Sequence, residues 1–324
     1  MPDQVIPEGN LDRFLGFADL YDANRPSPPA RLGTLLAAYA GVERPEVVDL
    51  GSGTGLSTRW AASWASSVVG IEPNPDMRAQ AESRPVAHVR YLDGTSFDTT
   101  LPAASADVVL AVQAMHWMEP VATLAEVARV LRPGGVFAVV DADWPPVTGS
   151  VATELAWADV HRRIRVFEAR VTAGETDDVI HRPVHPDDPA LRDDDLHDPH
   201  RNRVMPMGGQ SWSKGEHLAR LRASGRFAFT RELLFDEPVP PAASSTGEGP
   251  GEWSGEWSAD AVADRVIALL RSQGSYQQVR RQGVTDDDLG TAEFERRVRE
   301  AQASSIAAAR LAFSWRVRLG VTPS

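Results

Sequence analysis

The sequence predicts an α/β fold, a doubly wound and mostly parallel sheet with helices on both faces. Between residues 31 and 143, stretches of helical periodicity alternate with short apolar stretches, and the links between them are short. One apolar stretch runs directly into a turn with three glycines at residues 51–55. Another, residues 106–115, is almost uninterrupted, which is typical of a parallel strand covered on both faces.

The elements of the first half follow in regular order. The first predicted helix covers residues 31–40, because Leu32, Leu35 and Leu36 share one face, and Gly41 ends it. The strands are predicted at 46–50, 67–72, 89–94, 106–115 and 136–143, and the helices between them at 56–65, 74–83 and 121–131.

The second half has a different pattern. A long helix is predicted over 151–170, and residues 172–210, rich in Asp, His, Pro and Gly, are predicted to form an irregular loop. Residues 239–256 are of low complexity and indicate a surface insertion. The last strand, 311–321, alternates apolar residues with Ser and Arg, so we expect it at the sheet edge beside a strand at 226–238. Two further helices are predicted, at 259–273 and at about 291–308.

Composition argues against several classes of function. The 324-residue chain has a formal net charge of -12, which is a poor match for nucleic acid. It has no cysteine, which excludes disulfides, thiolate metal ligands and a cysteine nucleophile. No apolar run approaches the ~20 residues of a membrane span, and the N-terminus does not read as a secretory signal. We therefore expect a cytoplasmic protein without nucleic-acid or membrane partners.

The turn Gly51-Ser52-Gly53-Thr54-Gly55 indicates a ligand site, since glycines let a ligand approach the backbone. The next helix offers free amide groups, and ligands of open α/β sheets bind at this end of the strands. Glu72 ends the second strand, where an acid can accept hydrogen bonds from both hydroxyls of a ribose. The glycine spacing is one residue shorter than the G-x-G-x-x-G pattern of dinucleotide sites. The alternative for the glycine motif is a plain strand-to-helix turn, and the alternative for Glu72 is an acid on the protein surface.

Five motifs in a fixed order are similar to those of one enzyme family. They are EVVDLGSGTGLST (46–58), GIEPNPDM (70–77), YLDGTSF (91–97), ADVVLAVQAMHWM (106–118) and LRPGGVFAVVD (131–141). The series resembles the class I S-adenosylmethionine-dependent methyltransferases. Gln-Ala-x-His-Trp at 113–117 resembles the branch that includes trans-aconitate methyltransferase-like enzymes, as do the segments 17–26 and 257–276.

The resemblance implies a Rossmann-like sheet of seven strands, mostly parallel with an antiparallel C-terminal edge strand, and a helical lid insertion. It implies S-adenosylmethionine as cofactor and S-adenosylhomocysteine as product. The expected partner is a small-molecule substrate, and a homodimer is left open together with the oligomeric state. Residues 1–324 would form one methyltransferase domain, with a cover at 1–30, a cofactor-binding core at 31–150, a substrate lid at 151–225, and C-terminal strands and helices at 226–324 that carry the insertion 239–256.

The resemblance also implies roles for single residues. Asp49 orients the amino group of the cofactor, directly or through water, and Glu72 holds its ribose. The other implied cofactor-binding residues are Gly51, Ser52 and Gly53 under the methionine tail, Pro73 and Asn74 beside the ribose, Gly94, Thr95 and Ser96 over the adenine, Gln113 and Ala114 facing the sulfonium, and Tyr21 and Arg25 folded over the carboxylate.

Transfer of a sulfonium methyl group requires an in-line nucleophile and the exclusion of water. A carboxylate acceptor is already ionised, whereas a phenol, alcohol or amine is helped by a general base. His116 follows the fourth strand and is the candidate base, because the pKa of histidine lies near the working range. A structural role that positions Trp117 is the alternative.

Other residues are candidates for contact with the substrate. Trp117 and Trp144 are candidate pocket walls, although Trp144 could equally belong to the core. Arg162 and Arg165 on the long helix could bind an anionic substrate, and a solvated helix face is the alternative. The spacings of His181, His185, His197 and His200 resemble those of metal ligands. Because proline interrupts this segment and methyl transfer needs no metal, we predict a polar lid loop and no metal site.

Three functional hypotheses follow. The first is a small-molecule methyltransferase that O-methylates a carboxylate or hydroxyl of a metabolite or natural-product intermediate, with N- or C-methylation left open. The second is a nicotinamide-dependent oxidoreductase, which the short glycine spacing disfavours. The third is a cofactor-binding partner subunit without activity, although none of the main motifs is damaged.

Overall fold

A mixed sheet of seven strands forms the centre of the fold. The computed structural model describes residues 18–184, 203–204, 210–239, 257–305 and 309–324. The strands of the sheet are β1 (Glu46–Leu50), β2 (Ser67–Ile71), β3 (Val89–Leu92), β4 (Ala106–Val112), β5 (Leu131–Ala142), β8 (Phe229–Pro238) and β9 (Ala312–Val321), while β6 (Arg203–Val204) and β7 (Gln210–Ser211) pair separately.

The order of the seven strands across the sheet is β3-β2-β1-β4-β5-β9-β8. Strands β1 to β5 are parallel to one another, and β9 is antiparallel to both of its neighbours. The direction of strand addition reverses between β1 and β4, and such a reversal opens a crevice at the carboxyl ends of the strands. The doubly wound, mostly parallel sheet predicted from the sequence is therefore confirmed.

Helices pack on both faces of this sheet. Those of the described residues are α1 (Ala18–Asn24), α2 (Ala30–Ala40), α3 (Leu56–Ala62), α4 (Pro75–Glu82), α5 (Pro120–Val130), α6 (Val151–Thr172), α7 (Asp177–Ile180), α8 (His217–Ala223), α9 (Ala259–Arg271), α10 (Gly274–Arg281), α11 (Asp286–Leu289) and α12 (Thr291–Ala303). Among them, none combines the length and the apolar character that a membrane-crossing helix needs.

The two faces of the sheet have separate apolar cores, because successive strand residues point to opposite faces. On one face, Val108 and Val140 pack with Trp157 and Phe167 of α6, and with side chains of α2, α9 and α12. On the other face, α5 and α8 cover a smaller core. The long helix α6 thus carries a buried apolar stripe and is one layer of the larger core. The predicted division of the chain into cover, core, lid and C-terminal parts stays a prediction.

The C-terminal strand lies one place further in than expected. It is antiparallel, as predicted, but β9 pairs with β5 on one side and β8 on the other, so β8 forms the edge. Its apolar residues Phe313, Trp315, Val317 and Leu319 face the larger core. The physical reason for the inner position is on its other face, where Arg318 is also buried and is paired with acids on both neighbouring strands.

Other departures concern short elements and bounds. Strand β5 begins at Leu131 rather than at the predicted residue 136, because Leu131 already pairs with Ala106 of β4 before an irregularity in the register. Helices α1, α7, α8, α10 and α11 were not predicted, and α7, the short strand β6 and the first residue of β7 lie in the segment 172–210 that was predicted to be irregular. Parts of several predicted segments, the cover 1–30, the loop 172–210, the insertion 239–256 and the helix 291–308, lie outside the described residues.

Candidate active site

A cavity of about 280 Å³ opens at the carboxyl ends of β1, β2 and β4, where the strand order reverses. Most of the residues predicted to bind a cofactor lie in its wall: Tyr21, Arg25, Gly51, Ser52, Gly53, Glu72, Pro73, Asn74, Ser96, Gln113 and Ala114. Three members of that set, Asp49, Gly94 and Thr95, are not part of the wall.

The glycine turn forms the floor of the cavity between β1 and α3. The backbone N–H groups of Gly51 and Ser52 donate to the carbonyl oxygen of Ile71 at 2.9 and 3.1 Å, which ties the turn to β2. Gly51 has a φ of 66°, and a Cβ there would lie 2.9 Å from side-chain atoms of both Ala114 and Met118. Only glycine fits this left-handed and tightly packed position.

Glu72 lies in the cavity wall directly after β2 and is 8% exposed. Its two carboxylate oxygens accept hydrogen bonds from the backbone N–H groups of Gly53, at 2.8 Å, and Asn74, at 2.9 Å. Asn74 in turn caps α4, whose first residue is Pro75. Burial raises the pKa of Glu72, and the two backbone donors oppose that rise. The carboxylate is therefore fixed in orientation and keeps lone pairs for further donors.

Asp49 lies behind the wall and is fully buried. The hydroxyls of Ser57 and Thr58, in the first turn of α3, both donate to its Oδ2 at 2.7 Å. Its Oδ1 has no hydrogen-bond partner among the described residues. Burial raises the pKa of Asp49 to about 6, although the two hydroxyls act in the opposite direction. The residue thus anchors the helix after the glycine turn and has one oxygen left to accept a donor.

Helix α1 is held over the glycine turn at two points. Asp22 accepts a hydrogen bond from the hydroxyl of Thr54 at 2.8 Å and forms ion pairs with Arg59 and Arg84. At the end of the helix, Arg265 of α9 donates to Oδ1 of Asn24 at 2.9 Å. These contacts place the next residues of the chain against the cavity.

Arg25 presents a half-buried cation to the cavity. Its guanidinium carbon lies 4.8 Å from the ring centroids of both Tyr21 and Trp144, and Nη2 donates to Oε1 of Gln273 at 3.1 Å. Burial lowers the pKa of Arg25, and the neighbouring Tyr21 opposes this effect. Within the described ranges it has no ion pair with an acid. A cation in this state is suited to receive an anionic group of a ligand.

The predicted adenine segment reaches the cavity through one of its three residues. Ser96 lines the wall, and its Oγ lies 2.8 Å from the hydroxyl oxygen of Thr123. Thr95 instead closes a short turn, in which its N–H donates to the carbonyl oxygen of Asp98 at 2.9 Å. Gly94 lies close to Ile71, so that a Cβ there would come within 3.1 Å of the side chain.

The end of β4 contributes Gln113, Ala114 and Trp117 to the wall, but not His116. Gln113 has a φ of 53°, which is unusual for a residue with a side chain. His116 has a side chain that is 12% exposed, and its Nδ1 lies 4.0 Å from Oδ1 of Asp141. The structure thus places the candidate base next to the wall residue Trp117, at 4.6 Å between ring centroids, rather than in the wall.

Aromatic side chains form the side of the cavity towards β5. Trp144 lines it as predicted and also packs on the core, with its ring stacked on Trp157 at 5.6 Å and edge-on to Phe313 at 5.1 Å. Both interpretations drawn from the sequence therefore apply to Trp144. Trp212, which follows β7, is a further wall residue.

The two candidate arginines of α6 do not reach the cavity. Arg162 is paired with Asp159 on the same helix, and its side chain is 41% exposed. Arg165 is largely buried, which lowers its pKa, while Glu168 opposes this effect. Neither is part of the described wall, because the inner side of α6 at this point is directed at the apolar core. Among the four histidines, His181 binds Asp288 at 2.8 Å, and the other three lie outside the described residues.

Sequence reasoning missed several residues of the site. Met77 and Phe97 line the wall and end two of the quoted motifs, so their position in the motifs could have identified them. Asp22 lies within the quoted segment 17–26. Gln273 likewise lies within the quoted segment 257–276. Trp212 comes from a distant part of the chain, and no local pattern marks it.

Comparison with known proteins bears on this site. Residues 48–139 match the family model described as a methyltransferase domain. An uncharacterised methyltransferase of Mycobacterium bovis is 40% identical over 116 residues, which are 36% of this chain and 46% of that protein. The trans-aconitate 2-methyltransferase of Azoarcus sp. is 36% identical over 141 residues, which are 41% of this chain and 51% of the relative. The chain thus spans about half the length of the curated relatives it matches.

A similar fold covers most of the chain. The structure of a proposed type II methyltransferase from Anaeromyxobacter dehalogenans superposes with a TM-score of 0.53 at 24% identity, over 93% of this chain and 99% of that one. This likeness supports the fold. The domain match at 48–139, which includes the glycine turn, Glu72 and the end of β4, confirms the resemblance of the five motifs to a methyltransferase domain.

Proposed function

We propose that this chain, with its methyltransferase domain at residues 48–139, is an S-adenosylmethionine-dependent methyltransferase acting on a small molecule. The observation that carries the proposal is Glu72, a buried carboxylate held in the cavity wall by two backbone N–H groups, next to the glycine turn. Bound there, the cofactor would supply an electrophilic methyl group.

The residues present fit this cofactor. Glu72 keeps lone pairs for the two hydroxyls of a ribose. At Gly51, a Cβ would collide with its neighbours, so the backbone itself forms the floor on which the methionine tail would rest. Oδ1 of Asp49 is a buried acceptor without a partner in the described structure, which suits the amino group, directly or through a water molecule. Arg25 supplies a cation for the carboxylate.

The aromatic side of the cavity would hold the acceptor. Trp117, Trp144 and Trp212 present rings there and would exclude water from the transfer. The chemistry is an in-line displacement, in which the acceptor atom forms a bond to the methyl carbon as the bond from that carbon to sulfur breaks. The chain's part in this step is to bring the two atoms together in a dry site.

We favour O-methylation, and a carboxylate acceptor over a hydroxyl. A carboxylate is ionised at neutral pH and needs no base, and the candidate base His116 lies next to the wall rather than in it. The name of the Azoarcus relative points the same way, since trans-aconitate is a carboxylic acid. For a hydroxyl acceptor, we propose His116 as the base. The neighbouring Trp117 would then have to move so that the imidazole of His116 reaches the cavity.

Titration calorimetry with S-adenosylhomocysteine tests the proposal. We expect the native chain to bind it, and Glu72→Ala to weaken binding by about tenfold to a hundredfold, because two hydrogen bonds to a charged acceptor are lost. Glu46→Gln is the matched control. It lies at the opposite end of β1, where it pairs with Arg132, and should bind like the native chain.

Methyl transfer is measured next with S-adenosylmethionine labelled at the methyl group and a panel of carboxylic acids, beginning with trans-aconitate, beside phenols and amines. Base-labile product from an acid supports the carboxylate acceptor, and product from an amine contradicts it. A native chain that does not bind S-adenosylhomocysteine at millimolar concentration overturns the whole proposal.

A further inference from the structure

A buried group of charged side chains lies behind the β5 side of the cavity. Asp141, near the end of β5, is 2% exposed, and its Oδ2 accepts a hydrogen bond from Arg318 of β9 at 3.1 Å. Arg318 also donates to Glu232 of β8 at 2.9 Å. One buried cation is therefore shared between two acids, which leaves Asp141 incompletely neutralised.

Lys214 supplies the second cation. Its Nζ lies 3.0 Å from Oδ1 of Asp141, and it is the one lysine in the 324-residue sequence. Burial alone would raise the pKa of Asp141, but the charges of Lys214 and Arg318 hold it below its usual value. This carboxylate is therefore ionised and attracts the segment that carries the lysine.

The same ammonium group also holds a residue of the cavity wall. Nζ of Lys214 donates to Oε1 of Gln113 at 2.8 Å, and Nε2 of Gln113 is directed at the carbonyl oxygen of Ala142 at 3.4 Å. Gln113 has a left-handed backbone, which is unfavourable for a residue with a side chain and persists only when its surroundings enforce it. Lys214 is one of the contacts that enforce it.

The segment around Lys214 brings Trp212 to the cavity. The backbone N–H of Trp212 donates to the carbonyl oxygen of His116 at 2.6 Å. Arg220 of α8 donates to the carbonyl oxygen of Ser213 at 3.0 Å and lies 5.7 Å from the Trp212 ring. Residues 212–214 therefore lie on the end of β4, and the side chain of Lys214 links them to Gln113 and Asp141 of the central strands.

We infer that Lys214 is a positioning residue. It holds Trp212 and Gln113 in the wall where the acceptor binds, by bridging Asp141 and Gln113, without lining the cavity itself. The assignment of that wall to an acceptor rests on the proposed function, whereas the positioning of the two residues does not.

Amide hydrogen exchange of Trp212, measured without cofactor by mass spectrometry of overlapping peptides, tests this inference. In Lys214→Met we expect exchange about tenfold faster than in the native chain, because the segment opens more often. Lys214→Arg keeps the charge and the donors, so it should restore slow exchange.

The double variant Lys214→Met with Asp141→Asn separates positioning from charge balance. It removes the uncompensated acid, so its unfolding midpoint should return towards that of the native chain. Exchange of Trp212 should nevertheless stay fast, because the link to Gln113 is still missing. Native-like exchange in Lys214→Met, or in the double variant, overturns the inference. Failure of the native chain to bind S-adenosylhomocysteine is a separate result. It would refute the proposed function, whereas the exchange of Trp212 would still test the positioning role of Lys214.

Discussion

Replacing Asp49 by asparagine should change how the stability of the fold depends on pH. Asp49 is fully buried, and its pKa is raised from 3.8 to about 6. Since the folded chain binds this proton more tightly than the unfolded chain does, its contribution to stability is complete below pH 4 and is lost as the pH rises through 6.

The size of the effect follows from the two pKa values. Between pH 5 and pH 7, the raised pKa of Asp49 should remove about 1 kcal/mol from the free energy of unfolding, by the linkage relation. Asparagine does not titrate, so this part of the pH dependence should vanish in Asp49→Asn. The amide oxygen can still accept from the hydroxyls of Ser57 and Thr58, which preserves the contact with α3.

Urea unfolding at the two pH values, followed by circular dichroism, measures the difference. All other titrating groups are shared by the two proteins, so the comparison of native chain and variant isolates Asp49. Calorimetry with S-adenosylhomocysteine adds a second readout, because the proposed contact with the amino group requires the ionised carboxylate. Affinity should fall below pH 6 in the native chain and should be low at both pH values in the variant.

Two results would refute this reasoning. If both proteins lose the same free energy between pH 5 and pH 7, Asp49 does not carry the raised pKa. If the variant binds S-adenosylhomocysteine like the native chain at pH 7, Asp49 does not hold the amino group.

Two further substitutions test the floor and the cover of the cavity. Gly51→Ala should lower the free energy of unfolding by about 2–4 kcal/mol, since it adds a steric collision to a left-handed backbone. Gly41 also has a positive φ, but a Cβ there would meet no neighbouring atom, so Gly41→Ala should cost about 1 kcal/mol in thermal unfolding. Equal losses would show that the close approach is unimportant. Arg25→Met should weaken binding of S-adenosylhomocysteine about tenfold and change the unfolding midpoint only slightly, because the half-buried guanidinium forms no ion pair with an acid in the described ranges. Arg25→Lys serves as the control that keeps the charge, and unchanged affinity in Arg25→Met would contradict a role in binding the carboxylate.

The first half of the fold could be read from the sequence because its signals are local. Strands β1 to β5 are short apolar runs separated by helices of clear periodicity, and short links leave few ways to connect them. The inner position of β9 could not be read in this way. It depends on the pairing of Arg318 with Asp141 and Glu232, which are 177 and 86 residues away along the chain.

The residues of the candidate site likewise include some that the sequence could place and some that it could not. Gly51, Glu72 and Gln113 follow strands whose carboxyl ends meet at one edge of the sheet, so their strand positions place them together. Arg162 and Arg165 do not line the cavity, and the sequence could not show this because the direction of a helix face depends on what the helix packs against. Lys214 is 101 residues from Gln113 and lies in a segment that has no periodic pattern.

The pairing of β8 has a consequence for the order of folding. Its neighbour in the sheet is β9, which is synthesised after α9 to α12, so a nascent chain carries β8 without this partner while those helices emerge. Strands β1 to β5 pair with one another, so they can form their part of the sheet before β9 is synthesised. Biogenesis should therefore proceed in two stages, and a ribosome stalled before residue 312 should display a protease-resistant N-terminal sheet beside a cleavable segment 229–238.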